Sequence, residues 1–251
     1  MQTEVEAPGV EPRDVSGGVT VAGVEKAFGA VRALDGVSLR AAPREVVAVA
    51  GPSGCGKSTL LELVCGLARP DAGTVEAAPA ALMPQRDGLL PWLNALDNAA
   101  LALRVGGVGR AQARAAAHEH FAAFGLEGFE RARPNELSGG MRQRVAFLRT
   151  LLAGRPVLCL DEPFGALDAL TRAQMQRWLA DALAREPRTV LLVTHDVEEA
   201  ALLADRIVLL SPRPGRVVAT LEVTLPRPRH RTDLEVVALR EKALEALGAD
   251  S

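Results

Sequence analysis

Only three cysteines, Cys55, Cys65 and Cys159, occur in 251 residues. They form no C-x-x-C pair and are odd in number, which argues against a disulfide framework and a cysteine zinc site and fits a reducing compartment. Long apolar runs are also missing: 48% of residues are hydrophobic, yet no stretch approaches the roughly 18 residues of a spanning helix. The chain's apolar runs, such as those at 190–193 and 207–210, have strand length. Neither sign of charge dominates, since 29 Lys and Arg face 31 Asp and Glu for a net charge of -2. No global positive field therefore draws in nucleic acid, and no nucleic-acid partner is expected. Residues 1–18 are rich in Glu, Pro and Gly and lack the basic start and apolar stretch of a secretion signal, so they read as a disordered leader. No internal repeat is present.

What is present suits one large α/β domain with a real core. Short β-rich runs at 19–24 and 33–39 open it, with Asp35-Gly36 read as a turn. A continuous apolar run at 46–50 leads into a Gly-rich loop and a helix from Ser58 to about Cys65, closed by Gly66 and Pro70. From about 94 to 135 the chain is dominated by Ala, Leu and Arg, and Gly106, Gly107 and Gly109 divide it into two helical pieces. This reads as an inserted helical subdomain reaching about residue 150. Strand candidates at 157–160, 189–193 and 207–210 alternate with helices such as 170–185, which implies a mostly parallel, covered sheet. Pro226 and Pro228 then interrupt regular structure, and Thr232 with Glu235 makes a capping box ahead of a helix reaching Leu247 and Gly248. The expected organisation is a main domain over 19–225 and a C-terminal extension over 226–251.

The loop after the first buried run reads Gly51-Pro52-Ser53-Gly54-Cys55-Gly56-Lys57-Ser58-Thr59, a G-x-x-x-x-G-K-[ST] pattern between a strand and a helix. Glycines let successive backbone N–H groups turn toward phosphate oxygens, and the helix N-terminus adds its positive end. Lys57 has the reach for β- and γ-phosphates, and the Ser58 hydroxyl suits Mg²⁺. An accidental Gly-rich turn is the competing reading, but the bare pattern arises by chance in roughly 1% of chains this long, and its context lowers that further. Val157-Leu158-Cys159-Leu160 ends in Asp161-Glu162, two carboxylates at the carboxyl edge of a parallel sheet, where such folds bind ligands. Asp161 suits a Mg²⁺ ligand, and Glu162 suits a base that orients or deprotonates water. Alone, an acidic pair after a strand is more often a helix cap; a phosphate loop upstream changes that balance.

Between these motifs lies Leu137-Ser138-Gly139-Gly140-Met141-Arg142-Gln143-Arg144, where Ser138 and the Gly139 and Gly140 amides make an anion nest at a helix start. With all three motifs in order, the chain resembles the ATP-binding cassette (ABC) family, whose signature this segment matches. The resemblance spans about 19–225. It implies a P-loop NTPase core with a mostly parallel sheet, an antiparallel β region and a helical subdomain carrying the signature.

The resemblance also assigns single residues. Phe28 stands where the family puts a ring against adenine, though Tyr or Trp is commoner there. Gln85, in Met83-Pro84-Gln85, matches the Q-loop, whose side chain can reach Mg²⁺ and the attacking water. Gly165-Ala166-Leu167-Asp168 resembles the D-loop that meets the partner subunit, with Gly165 replacing the usual Ser. His195 matches the switch histidine at the γ-phosphate; His118, His120 and His230 lie in no motif and are expected at the surface. Cys55 is expected to be shielded by bound nucleotide, and Cys65 and Cys159 to be small core residues. Leu89-Leu90-Pro91-Trp92 lies where the family docks a permease helix; core packing is the alternative, and exposure of Trp92 discriminates.

The implied activity is ATP hydrolysis by a head-to-tail dimer of two copies. Lys57, Ser58 and Asp161 of one copy and Ser138 and Gly140 of the other hold each ATP and its Mg²⁺, beneath transmembrane permease subunits at the cytoplasmic face of the cell membrane. Thr194 to Ala200, Ser211 to Arg216 and Leu225 to Arg229 resemble the nitrate/sulfonate/taurine importer group, which works with an extracytoplasmic solute-binding protein. Relatives that carry thiamine pyrimidine precursors remain open, as does a soluble ABC ATPase acting on DNA or ribosomes. The latter usually has a long coiled coil or a second cassette, and neither is present. A non-hydrolysing regulatory module would lack Glu162 or His195.

Overall fold

The computed structural model describes residues 17–248; apart from Gly17 and Gly18, the leader expected over 1–18 lies outside the described residues. Strands β1 (Val19–Phe28) and β2 (Val31–Ala41) pair antiparallel, and the chain reverses at Gly29 and Ala30. The turn expected at Asp35-Gly36 is instead an irregularity inside β2, where the pairing slips between Val24↔Val37 and Lys26↔Leu34. Gly36 takes a φ of 68°, and Asp35 is anchored by its N–H to the Gly215 carbonyl at 3.0 Å. The turn-forming dipeptide is thus used as a bulge.

Strand β3 (Val46–Ala50) runs into helix α1 (Lys57–Val64), one residue ahead of the helix expected. Strands β4 (Ala72–Ala77) and β5 (Ala80–Met83) follow; β4 completes a three-stranded sheet in the order β2-β1-β4. Where two helical pieces were expected, three short helices occur, α2 (Ala95–Ala99), α3 (Leu101–Val105) and α4 (Arg110–His118). The break at Gly106 to Gly109 is as anticipated. Turns and a 3₁₀ segment (Pro134–Glu136) then lead to α5 (Gly139–Leu151).

The remainder alternates: β6 (Val157–Asp161), α6 (Ala169–Arg185), β7 (Thr189–Thr194), α7 (Val197–Leu203), β8 (Arg206–Leu210), β9 (Val217–Glu222) and α8 (Leu234–Gly248). The second sheet has the order β5-β6-β7-β3-β8-β9 and is parallel except for β9. Asp233 rather than Thr232 immediately precedes α8, and its carboxylate accepts from the upstream His230 N–H at 2.7 Å. Arg229, in the segment before it, donates to the Ala201 and Ala204 carbonyls at 2.9 and 2.6 Å. Part of the arginine-rich stretch therefore caps the carboxyl end of α7.

Both faces of the central strands are buried, which is why they read as unbroken apolar runs. Val46, Ala48 and Ala50 face a core with Phe121, Phe124, Phe147 and Phe164, while Val47 and Val49 face a second core with Leu60, Leu61 and the small sheet. Five parallel strands therefore present their carboxyl ends, including those of β3, β6 and β7, along one edge. No helix among the described residues is long and apolar enough to cross a membrane.

Candidate functional site

The loop after β3 closes through Gly56, whose φ of 104° and whose contacts leave no room for a side chain. A Cβ there would lie 2.6 Å from Leu34 Cδ2 and 2.7 Å from the Ala33 carbonyl. This lets α1 begin directly at Lys57 and Ser58. Lys57 folds back over the loop, its Nζ donating to the Gly51 and Pro52 carbonyls at 2.7 and 2.8 Å, so the ammonium is buried at the loop's centre. Cys55 departs from expectation: its thiol is already buried within the protein, 1% exposed, in the core under the loop. No nucleotide is needed to shield it, and burial pushes its pKa up.

A cleft of about 360 Å³ opens above this loop. Ser53, Gly54, Gly56, Lys57, Ser58 and Thr59 line it, the β1–β2 hairpin contributes Phe28, Val31 and Ala33, and Gln85, Glu162 and Arg213 complete it. Phe28 is 53% exposed, with Lys26 Nζ 5.5 Å from its ring centroid. It is a ring offered to the cleft rather than a core residue.

Glu162 follows β6 with a φ of 47°, a left-handed backbone that costs a non-glycine residue about 1–2 kcal/mol. Its N–H on the Val193 carbonyl (2.9 Å) and its carbonyl accepting from the Gly165 N–H (3.1 Å) hold that geometry. The turn puts the carboxylate between two elements. Gln85 Nε2 donates to Oε2 at 3.1 Å, and His195 Nδ1 stands 3.2 Å from Oε1. Three side chains far apart in sequence thus meet beside the phosphate loop. Asp161 is buried; burial raises its pKa more than the nearby Ser58 hydroxyl lowers it.

Ser58 and Asp161 are hard oxygen donors of the kind Mg²⁺ accepts. No group of three or more His, Cys, Asp or Glu among the described residues could hold a metal, so an ion here would need phosphate oxygens as well. Ser138, Gly139, Gly140 and Asp168 do not line the cleft of their own chain. Of the remaining histidines, His118 and His230 are exposed as expected and His120 is half-buried; Cys159 is buried and Cys65 half-buried beside it. Val31, Ala33 and Arg213 were not anticipated as lining residues. Only Arg213 carried a sequence signal, the motif from Ser211 to Arg216.

The family model for the ABC transporter matches residues 34–165. An aliphatic sulfonates import ATP-binding protein of Rhodococcus jostii (strain RHA1) is 45% identical over 237 residues, 92% of this chain and 93% of that protein. The chain belongs to the ABC transporter family. A taurine import ATP-binding protein of Chromobacterium violaceum is also 45% identical, over 84% of this chain and 88% of its own length. The dimeric structure of a bacterial ABC transporter cassette superposes with a TM-score of 0.76 at 29% identity, covering 83% of this chain and all of that one. A second structure of that cassette, in a post-hydrolysis state bound to ADP and Pi, also scores 0.76, at 30% identity over 83% of this chain. The chain is an ABC-type ATPase.

In this ABC ATPase the signature serine caps a helix: Ser138 Oγ accepts from the Met141 N–H at 3.2 Å at the start of α5. Asp168 caps α6, accepting from the Leu170 and Thr171 N–H groups at 3.1 Å each, and the Thr171 hydrogen bonds hold its carboxyl below the usual range. Arg172 donates to the Phe164 and Leu167 carbonyls at 3.3 and 3.0 Å. Glu199, buried in α7, has its pKa pushed up to about 8, first by burial and then by Asp196, against the opposing effects of Arg172, Thr194 and Gln176.

A carboxyl raised in the folded state above its unfolded 4.5 contributes stability below about pH 4.5 and loses it as pH rises toward 8. Glu199→Gln is therefore expected to flatten the decline in thermal midpoint between pH 5 and 8, read by thermal melts across that range. An unchanged slope would show that Glu199 does not titrate there.

Proposed function

We propose that this ABC ATPase energises import of a small anion such as a sulfonate, taurine or nitrate, working as a head-to-tail dimer under transmembrane permease subunits. It would sit at the cytoplasmic face of the membrane, with an extracytoplasmic solute-binding protein delivering the solute. The observation that carries the hydrolytic part is Glu162 held between Gln85 and His195 beside the phosphate loop. Glu162 orients the attacking water and takes its proton, Gln85 and His195 fix that carboxylate, and Lys57 neutralises the β- and γ-phosphates. Bound Mg²⁺, held by Ser58 and Asp161 with Gln85 in reach, would supply further charge neutralisation on the phosphates. Phe28 stacks on the base.

The signature turn at Ser138, Gly139 and Gly140 lies outside its own cleft, which supports its use by the partner's ATP, with the D-loop through Asp168 at the same interface. ATP then holds the two copies together, and loss of the γ-phosphate frees them to move the permease. The importer assignment draws on the sulfonate and taurine import relatives. Permease docking draws on Trp92, which is 70% exposed beside the Q-loop. Purified with its permease in a bilayer, the ATPase should rise on addition of solute-loaded binding protein; a DNA-stimulated, membrane-free activity would overturn the importer reading. Lys57→Ala is expected to weaken ATP binding about 10–100-fold, the worth of a charge-assisted phosphate contact. Isothermal titration would measure it, and wild-type affinity in that variant would remove Lys57 from the site.

A further inference from the structure

The stretch Ser211-Pro212-Arg213-Pro214-Gly215-Arg216 is used neither by the hydrolysis described above nor by permease docking. It forms the loop between β8 and β9, and because β8 pairs with β3 the loop stands beside the phosphate loop. Its backbone is tied down on the wall of the cleft. The Gly215 N–H donates to the Ala33 carbonyl at 2.9 Å, and the Gly215 carbonyl accepts from Asp35 at 3.0 Å. Arg216 pairs with Asp35 through Nε at 2.7 Å. Ser211 Oγ accepts from the Arg216 N–H at 3.1 Å and donates to the Pro214 carbonyl at 3.0 Å. Gly215 is pressed so closely on the phosphate loop that a Cβ would lie 2.2 Å from the Cys55 carbonyl.

This seat carries Arg213 into the cleft, among the same lining residues as Lys57 and Glu162. Arg213 Nε donates to the Gly54 carbonyl at 2.9 Å, and Nη2 lies 2.9 Å from where a Cβ on Gly54 would stand. The guanidinium thus rests on the phosphate loop itself. Among the described residues no carboxylate forms an ion pair with it. Only Nε is engaged by Gly54, so the terminal nitrogens keep their donors, in the planar fork that suits phosphate oxygens.

We infer that Arg213 is a further nucleotide-binding residue, a second cation beside Lys57 that grips the phosphate chain of ATP or ADP through its terminal nitrogens. The inference rests on the reading of the cleft as the ATP site and adds a contact to it. It gives the motif from Ser211 to Arg216 a purpose, since the serine, the glycine and Arg216 fix the loop that aims Arg213.

Isothermal titration of the full chain with ATP, ADP and adenosine tests it, using Arg213→Ala and Arg213→Lys. Arg213→Ala should weaken ATP and ADP roughly tenfold, the lower end for a charge-assisted contact. It should leave adenosine binding unchanged and make ATP affinity less sensitive to salt. Arg213→Lys should restore part of the loss. Wild-type ATP affinity in Arg213→Ala overturns the inference and leaves the residue a strap on Gly54. An equal loss for adenosine overturns it too, because the loop would then act by shifting the Ala33 wall. Failure of the wild-type chain to bind ATP would instead bring down the cleft reading and this inference with it.

Discussion

Glu162→Gln is expected to slow ATP turnover by roughly 10²–10⁴-fold, the usual cost of losing a general base, with ATP affinity kept within a few-fold. The substitution preserves size and keeps an oxygen to accept from Gln85 Nε2, now 3.1 Å from the carboxylate. Backbone geometry should also survive, since glutamine meets the φ of 47° at the same cost as glutamate. What disappears is the basic oxygen that would take a proton from water. Binding should persist because Lys57 and the loop amides, not Glu162, hold the phosphates in the proposed site. Phosphate release at saturating ATP and equilibrium titration separate the two quantities. Turnover within about threefold of wild type would take the base role away from Glu162, and loss of both turnover and binding would mark it as a structural residue.

The parts of this site that were legible in the sequence are those whose chemistry is local. A phosphate loop is a continuous backbone nest, so Gly51 to Thr59 could be read directly, as could the acidic pair at the end of an apolar strand and the nest of Ser138, Gly139 and Gly140 at a helix start. The contacts among them are not local. That Gln85, Glu162 and His195 touch depends on β5, β6 and β7 lying side by side. No residue pattern within any one strand encodes that order; only family resemblance suggested it. Arg213 escaped for the same reason, because its place in the cleft follows from the adjacency of β3 and β8. Cys55 was assigned to the wrong side of the loop because spacing along a turn does not say which side chains point inward. Asp35-Gly36 read as a turn because its composition suits φ > 0, and a bulge asks for the same thing.

The second large effect concerns Ser138 and separates a self-contained site from one shared between copies. In the Glu162→Gln background ATP should persist, and the chain should shift from monomer to dimer in size-exclusion chromatography when ATP is added. Adding Ser138→Arg should abolish that shift. Ser138 is exposed and lies outside the cleft of its own chain, so an arginine there would not obstruct ATP bound to the same copy. Across a head-to-tail interface the same side chain would occupy the space required by the partner's γ-phosphate. Within the monomer the cost is loss of the cap on the Met141 N–H, about 1 kcal/mol, which thermal melts would register and which should not unfold the chain. Ser138→Ala, with that same loss and no added bulk, should weaken the ATP-dependent dimer without eliminating it. ATP titration of the Glu162→Gln/Ser138→Arg monomer should still show binding through Lys57. A double variant that dimerises with ATP as fully as Glu162→Gln alone would mean that the signature turn does not act across the interface, and the shared-site arrangement would have to be given up for this chain.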